Sequence, residues 1–168
     1  MVVTAMSNRP LLALHCADGR GSNLTGADFA AGYLRGINMS GANLDASNLS
    51  DTDLREADLS DADLLEADLD RADLRGANLR GATLRRAILT GVVFGDAVLQ
   101  DADLTGAILD GADLSQAQLP TLTEMSEVRW SATTRWGLVH DAVAQSSVAL
   151  GDGKYMLNPP GRHAKATA

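Results

Sequence analysis

Large apolar residues recur at every fifth position through most of this chain. The column runs from Leu24 to Leu119 without a missed step, and two residues before most members stands a small residue, usually alanine. The position between the two is mostly Asp or Asn. A period of five builds no continuous apolar face on an α-helix and alternates faces on a flat strand, so neither element fits residues 22–120.

The period fits a coil with four equivalent sides, each made by one pentapeptide. The small residue and the column residue then point inward, and the Asp or Asn between them points outward. Coils stack at the spacing of hydrogen-bonded strands, about 4.8 Å, so twenty repeats predict five coils and a rod roughly 24 Å long. Glycine is expected at the corners, where it relaxes the restriction on φ. The corner glycines are Gly26, Gly36, Gly41, Gly76, Gly81, Gly91, Gly106 and Gly111.

The repeat resembles the pentapeptide-repeat family. Its motif, Ala-(Asp/Asn)-Leu-X-X, stands here as ANLDA, ADLSD, ADLLE, ADLDR and ADLRG. The resemblance covers about 100 of the 168 residues. It implies an all-β solenoid, a right-handed quadrilateral β-helix of about five coils with short helical caps. It implies much less about function, because most family members have none assigned.

Four segments are expected along the chain. They are an N-terminal cap (1–21), the repeat β-helix (22–120), a C-terminal cap with short helices and a hairpin (121–158), and a disordered tail (159–168). Pro10 suits the first turn of a short helix in the N-terminal cap. After Leu119 the register fails, because Pro120 interrupts it and Glu124 stands where the next column residue would be.

The charge of the chain narrows the classes of partner. The formal net charge is −8, and residues 22–120 hold 17 acidic and 7 basic residues, a net of −10. This argues against direct nucleic-acid binding, which needs a basic surface. No apolar run is long enough to span a membrane. The single cysteine, Cys16, cannot form an intrachain disulfide, so a cytoplasmic location is expected, with the periplasm and the thylakoid lumen left open.

Folding the positions by twenty places several acidic residues on one side of the rod. This acidic stripe consists of Asp28, Asp68, Asp70 and Asp110. One reading is ordinary solubility. The other follows the quinolone-resistance branch of the family, whose members resemble a DNA duplex and bind DNA gyrase. A second row is interpreted as an ion-pair ladder of Arg35, Arg55 and Arg75 with Asp53 and Asp73.

The outward row becomes apolar late in the repeat. The residues concerned are Ile88, Val93, Val98 and Ile108, of which Ile88 and Ile108 are expected to stack one coil apart. Exposed apolar surface of this kind needs a cover. Two covers are considered. One is the C-terminal segment that contains Trp130, Trp136, Val139 and Val143, and the other is a homodimer or protein-partner interface.

Catalysis has little support in the sequence. His15, His140 and His163 are far apart, and there is no metal-ligand spacing, phosphate loop or nucleophile elbow. We therefore expect no catalytic residues, no metal and no cofactor. The sequence predicts a non-enzymatic structural or protein-interaction module with an unidentified protein partner. The alternative is a DNA mimic that binds DNA gyrase or another topoisomerase and modulates quinolone sensitivity.

Overall fold

The computed structural model describes residues 18–158, and its repeat region is a β-helix built from isolated parallel bridges. From Asp18 to Val98, each outward residue pairs with the residue twenty positions further on, as in Asp28 with Asn48 and Asn48 with Asp68. The bridges fall into four columns, one for each side of the coil. We call these side A (from Asn23), side B (from Asp28), side C (from Tyr33) and side D (from Asp18). Each side is too short for a regular strand because a corner follows every pentapeptide.

The corners are hydrogen-bonded turns. The amide of Ala27 donates to the carbonyl of Leu24 at 3.0 Å, and the equivalent bond recurs at the other corners. The third residue of most of these turns has a positive φ, as type II turns require. Glycine occupies that place at all eight predicted corners, but Ala46, Glu56 and other non-glycine residues also adopt it, with φ of 52° and 61°. The ladder between coils, such as Glu56 N to Arg75 O at 3.0 Å, holds them there.

The core of the rod is the apolar column together with the small residues beside it. From Leu44 to Leu109 every member of the column has no exposed surface, and the alanines from Ala62 to Ala112 are equally buried. Each such leucine contributes roughly 1.5–3 kcal/mol through burial. The interior is therefore the part of the molecule that the five-residue pattern describes directly.

The bridging pattern reaches beyond the predicted start of the repeat. Asp18 bridges Asn38, and the amide of Gly19 donates to the Asn38 carbonyl at 2.7 Å. Gly19 thus takes a column position without supplying a side chain, which is why the apolar pattern did not reveal it. The rest of the predicted N-terminal cap, residues 1–17, lies outside the described residues, as does the predicted tail, residues 159–168.

Within residues 18–158, regular helices and strands follow the repeats. They are a 3₁₀ helix at Leu122–Met125, strand β1 at Arg129–Ser131, a 3₁₀ helix at Gly137–Val139, helix α1 at His140–Gln145, strand β2 at Ser147–Gly151 and strand β3 at Lys154–Leu157. The strands form one antiparallel sheet in the order β1-β3-β2. Strands β2 and β3 are joined through Gly151-Asp152-Gly153, where all three residues have positive φ.

The core columns continue into this C-terminal segment, although the five-residue register ends after Leu119. Leu104 donates its amide to the carbonyl of Glu124 at 2.9 Å, which places Met125, and not Glu124, in the column. Trp130 and Trp136 follow Leu109 and Leu114 in the same way. These spacings are 21 or 22 residues instead of twenty, so a strict five-residue count loses them. All three side chains are at most 3% exposed.

Candidate interaction surface

The four outward apolar residues lie on three sides of the rod. Ile88 bridges Ile108 on side B, whereas Val93 lies on side C and Val98 on side D. Ile88 and Val93 are 37% and 39% exposed, and Val98 and Ile108 are half-buried. Ile88, Val93 and Val98 therefore form a band around one coil, and only Ile88 and Ile108 are adjacent rungs of a single side.

Asp and Asn have a structural role at the equivalent positions elsewhere. The Asp68 carboxylate accepts a hydrogen bond from the amide of Asp70 at 2.9 Å, two residues along the chain. This is the bond of an Asx turn, and it satisfies an amide at the corner that the coil ladder leaves free. The residues that make it are Asp18, Asn23, Asp28, Asn38, Asn43, Asn48, Asp53, Asp58, Asp63, Asp68, Asp73, Asn78, Asp103 and Asp113.

Isoleucine and valine cannot make this bond. No acceptor among the described residues takes the corner amides of Thr90, Gly95, Gln100 and Asp110, which follow the four apolar positions. Each lost bond forgoes about 0.5–1.5 kcal/mol. The apolar positions therefore replace a stabilising local interaction with exposed hydrocarbon, and this lowers the stability of the isolated rod.

Side B runs on from Ile108 to the hairpin of β2 and β3. Ile108 and Leu150 line a cavity of about 390 Å³ whose charged walls are Asp110, Arg129, Asp152 and Lys154. The Lys154 ammonium lies 2.9 Å from the Asp110 carboxylate. In residues 18–158, Arg129 has no carboxylate within ion-pair distance. These hairpin residues carry no repeat motif, so the sequence pattern did not single them out.

The tryptophans expected to cover the apolar residues are used elsewhere. Trp130 and Trp136 lie in the core columns and contact each other edge to face, with ring centroids 6.0 Å apart. Trp130 also stacks on Tyr155 at 4.4 Å. Val143 is buried and Val139 is 36% exposed. Leu150 is the large apolar residue of the C-terminal segment that lines a cavity with Ile108, whereas Ile88 keeps 37% of its surface exposed.

The acidic stripe is less uniform than its sequence suggests. Asp28 and Asp68 lie in the side B column with Asn48 between them. Asp70 and Asp110 lie at the following corner, separated by Thr90, and each is paired with a cation: Asp70 with Arg71 at 2.9 Å and Asp110 with Lys154.

The arginine row forms ion pairs along side C. The Arg55 guanidinium donates to the Asp53 carboxylate at 2.8 and 2.6 Å, and this bond holds the pKa of Asp53 below its usual range. Burial pushes the pKa of Asp73 upward, but hydrogen bonds from Arg75 outweigh it, so the net pKa is lowered. Arg71 lowers the pKa of Asp51 in the same way, through hydrogen bonds that join two adjacent coils at the corner between sides B and C.

The described residues contain no side-chain cluster of the kind that holds a metal ion. Across residues 18–158, no group of three or more His, Cys, Asp or Glu side chains converges to hold an ion. Within the same range no helix has the length and apolarity needed to cross a membrane.

The comparisons with known proteins identify the repeat. The family model for pentapeptide repeats matches residues 22–61, 52–91 and 87–120, with eight copies, and no curated protein matches significantly. A pentapeptide-repeat protein of the Arabidopsis thaliana thylakoid lumen is 36% identical (TM-score 0.46), over 56% of this chain and 63% of its own. HetL, a pentapeptide-repeat protein involved in heterocyst differentiation regulation in the cyanobacterium Nostoc, is 34% identical (TM-score 0.41), over 60% and 48%.

The third structure is QnrB1, a plasmid-mediated fluoroquinolone resistance protein. It is 18% identical (TM-score 0.36), over 74% of this chain and 79% of its own. The chain spans less than two thirds of the length of the first two structures. The family itself is shown by the repeat model, which spans residues 22–120 and so more than half of the sequence. This chain belongs to the pentapeptide-repeat family.

Proposed function

We propose that this protein is a non-enzymatic interaction module, a right-handed quadrilateral rod of about five coils that binds a protein through the late part of side B. The surface concerned is Ile88 with Ile108. The observation that carries the proposal is that both positions give up the Asx-turn bond that Asp or Asn makes at most other rungs.

The physical argument compares the two choices at one rung. Asp68, one coil before Ile88, holds the corner amide and is solvated. Ile88 leaves that amide to water and exposes 37% of its surface. An exposed apolar residue on an otherwise polar exterior is stabilised when a partner covers it. Residues that lower the stability of the free protein in this way are typical of functional surfaces.

A pull-down with the full chain as bait, from extract of the source cells, tests the proposal. Ile88→Asp and Ile108→Asp should each remove the specific partner, because a carboxylate would be buried at the contact. Leu65→Asp is the matched control, since Leu65 is an outward apolar residue at the corner that follows side A and lies outside the side B column. Equal capture by wild type, Ile88→Asp and Ile108→Asp would contradict the proposal.

A DNA mimic that binds gyrase or another topoisomerase is the second candidate, favoured by the net charge of −8. It is the weaker one. Fourteen of the outward Asp and Asn side chains hold corner amides, and two members of the acidic stripe are ion-paired. A gyrase supercoiling assay with and without quinolone tests it. No effect at micromolar protein would exclude it.

The compartment and the oligomeric state belong to the same proposal. A cytoplasmic location agrees with the single cysteine, and the printed thylakoid-lumen origin applies to the Arabidopsis protein alone. The alternative binding partner for this surface is a second copy of the chain, which would form a homodimer through side B. Light scattering after size exclusion distinguishes it from a different protein partner.

A further inference from the structure

Strand β1 joins two kinds of sheet at the end of the rod. Arg129 bridges Ile108 in the parallel column of side B, and the same strand pairs antiparallel with β3, through Trp130 and Tyr155. Strand β3 then pairs with β2. The stacked edge of the last coil is thereby closed on side B, and the open edge of the sheet is moved outward to β2.

Among residues 18–158, strand β2 is an edge strand without the usual protection. Its sequence, Ser-Val-Ala-Leu-Gly, carries no charge and no proline, and Val148 and Leu150 are 51% and 47% exposed. Natural edge strands are normally guarded by charged side chains, proline or a cover, because their unpaired backbone groups attract another strand. A register irregularity between Ala149 and Gly151 is the one guard present in the described hairpin.

A recess lies against the same hairpin. It is the cavity of about 390 Å³ between Leu150 and Ile108, a size in the range of ligand-binding sites. Its walls are apolar on two sides and charged elsewhere. Lys154 is already paired with Asp110, whereas Arg129 is exposed and has no anionic partner in residues 18–158. The recess therefore offers space for an apolar side chain and an open cation for an acidic one.

We propose that β2 accepts an extended peptide by strand addition, with an apolar side chain of the peptide in the recess and, two residues along, an acidic side chain on Arg129, because alternate side chains of a strand lie on the same face. Backbone hydrogen bonds then supply affinity and the recess supplies specificity, as in other complexes formed by strand addition. A second copy of β2 fits less well, because its sequence brings no acidic residue to Arg129. This inference rests on the proposed interaction function but on different residues.

Selection from a phage-displayed library of random peptides, with the full chain as target, tests the inference. Enriched peptides should share an apolar residue with Asp or Glu two positions away, the spacing at which two side chains of a strand lie on the same face. A synthetic enriched peptide should bind at least about tenfold more weakly to Leu150→Lys and to Arg129→Glu. Hydrogen exchange should show new protection of the β2 amides when the peptide is bound.

Two matched variants control for general effects on folding and charge. Leu138→Lys changes another exposed apolar residue of the C-terminal segment, since Leu138 is 104% exposed. Arg135→Glu changes the arginine that extends the side C column as Arg129 extends the side B column, and Arg135 is paired with Asp113. Both should bind the peptide within about twofold of wild type once circular dichroism shows that they are folded.

Three outcomes would overturn the inference. They are enrichment of no sequence with apolar and acidic residues two positions apart, peptides that bind Leu150→Lys as well as wild type, and a dimer in light scattering that Leu150→Lys dissociates. If any of these occurs while Ile88→Asp still abolishes partner capture, the edge strand is excluded and the proposed function stands. If peptides bind as expected and Ile88→Asp captures normally, the side B surface is excluded instead.

Discussion

The early and late parts of the rod share one interior but differ in their exterior. From Asn23 to Asn78 every rung except Tyr33 caps its corner amide with Asp or Asn. From Thr83 onward, Asp103 and Asp113 are the repeat residues that do so within the described structure. The inward column is equally buried in both parts. The inward positions thus set the fold, and the outward residues can vary with the surroundings of each coil.

The late part also departs from the regular corner. At the turn Phe94–Ala97 the positive φ falls on Gly95, with φ 52°, and not on the residue after it. A Cβ at Gly95 would lie 2.7 Å from Cγ of Arg75, so glycine allows the Arg75 side chain to cross this corner. The early coils support themselves through local bonds, whereas the late coils depend more on packing and on the C-terminal segment.

The largest expected effect on stability comes from Trp136, and it tests whether the late coils depend on the C-terminal segment. Trp136→Ala should lower the free energy of unfolding by about 3–5 kcal/mol, because the side chain is 2% exposed and closes the core column of side C. Trp136→Phe should cost much less, since the buried indole N–H has no hydrogen-bond partner in the described structure. Urea denaturation followed by circular dichroism measures both.

Leu138→Ala is the control for Trp136. It lies two residues away in the same segment but is fully exposed, so its effect should stay within about 0.5 kcal/mol. If Trp136→Ala were as mild as Leu138→Ala, the late coils would not depend on this segment, and the contrast with the early coils would be lost.

The interior of the rod could be predicted from the sequence because one rule governs every rung. The pattern correctly predicted the inward column, and the family resemblance is confirmed by the repeat model. The C-terminal columns were missed because insertions of one and two residues move Met125, Trp130 and Trp136 out of a five-residue count. Their burial depends on backbone geometry, which the spacing alone does not give.

The candidate surface was only partly visible in the sequence for a different reason. Ile88 and Ile108 follow from the twenty-residue period, and the structure places them on adjacent rungs. Leu150, Arg129 and Lys154 reach the same side through the antiparallel sheet, which is a long-range arrangement without a sequence period. The Asx bond that explains the Asp and Asn row is local, so turn chemistry could have identified it from sequence.

A smaller effect comes from exchanging residues between adjacent rungs of side B. Asp68→Ile should destabilise the protein by about 1 kcal/mol, because the amide of Asp70 loses its acceptor. Ile88→Asn should stabilise it by about 0.5–1 kcal/mol, because it supplies an acceptor for the amide of Thr90 and removes exposed hydrocarbon. Thermal unfolding of both variants measures the two changes.

Ser60→Ala is the control for this exchange, since it alters a corner side chain and keeps the Asp58 bond to the Ser60 amide at 3.1 Å. Its effect should be smaller than that of Asp68→Ile. A loss of stability in Ile88→Asn would show that isoleucine supports the free rod, and the early and late coils would then not differ in the way that their hydrogen bonds indicate.

The smallest expected effect is on the pH dependence of stability, and it tests the contribution of the ion pairs in the early coils. Arg55 holds the pKa of Asp53 below its usual range, so the unfolded chain takes up a proton before the folded one as the pH falls. The resulting stability is present above the usual Asp pKa of about 3.9 and is lost as the pH falls through the lower folded value.

Arg55→Gln should flatten this loss of stability, and at neutral pH its free energy of unfolding should differ from wild type by only roughly 0.3 kcal/mol, because the pair is partly exposed. Arg129→Gln has no paired carboxylate in residues 18–158 and should leave the slope unchanged in urea titrations between neutral pH and about pH 3. Equal slopes for Arg55→Gln and wild type would mean that the early ion pairs add no stability beyond the Asx bonds, which would then account for the polar exterior alone.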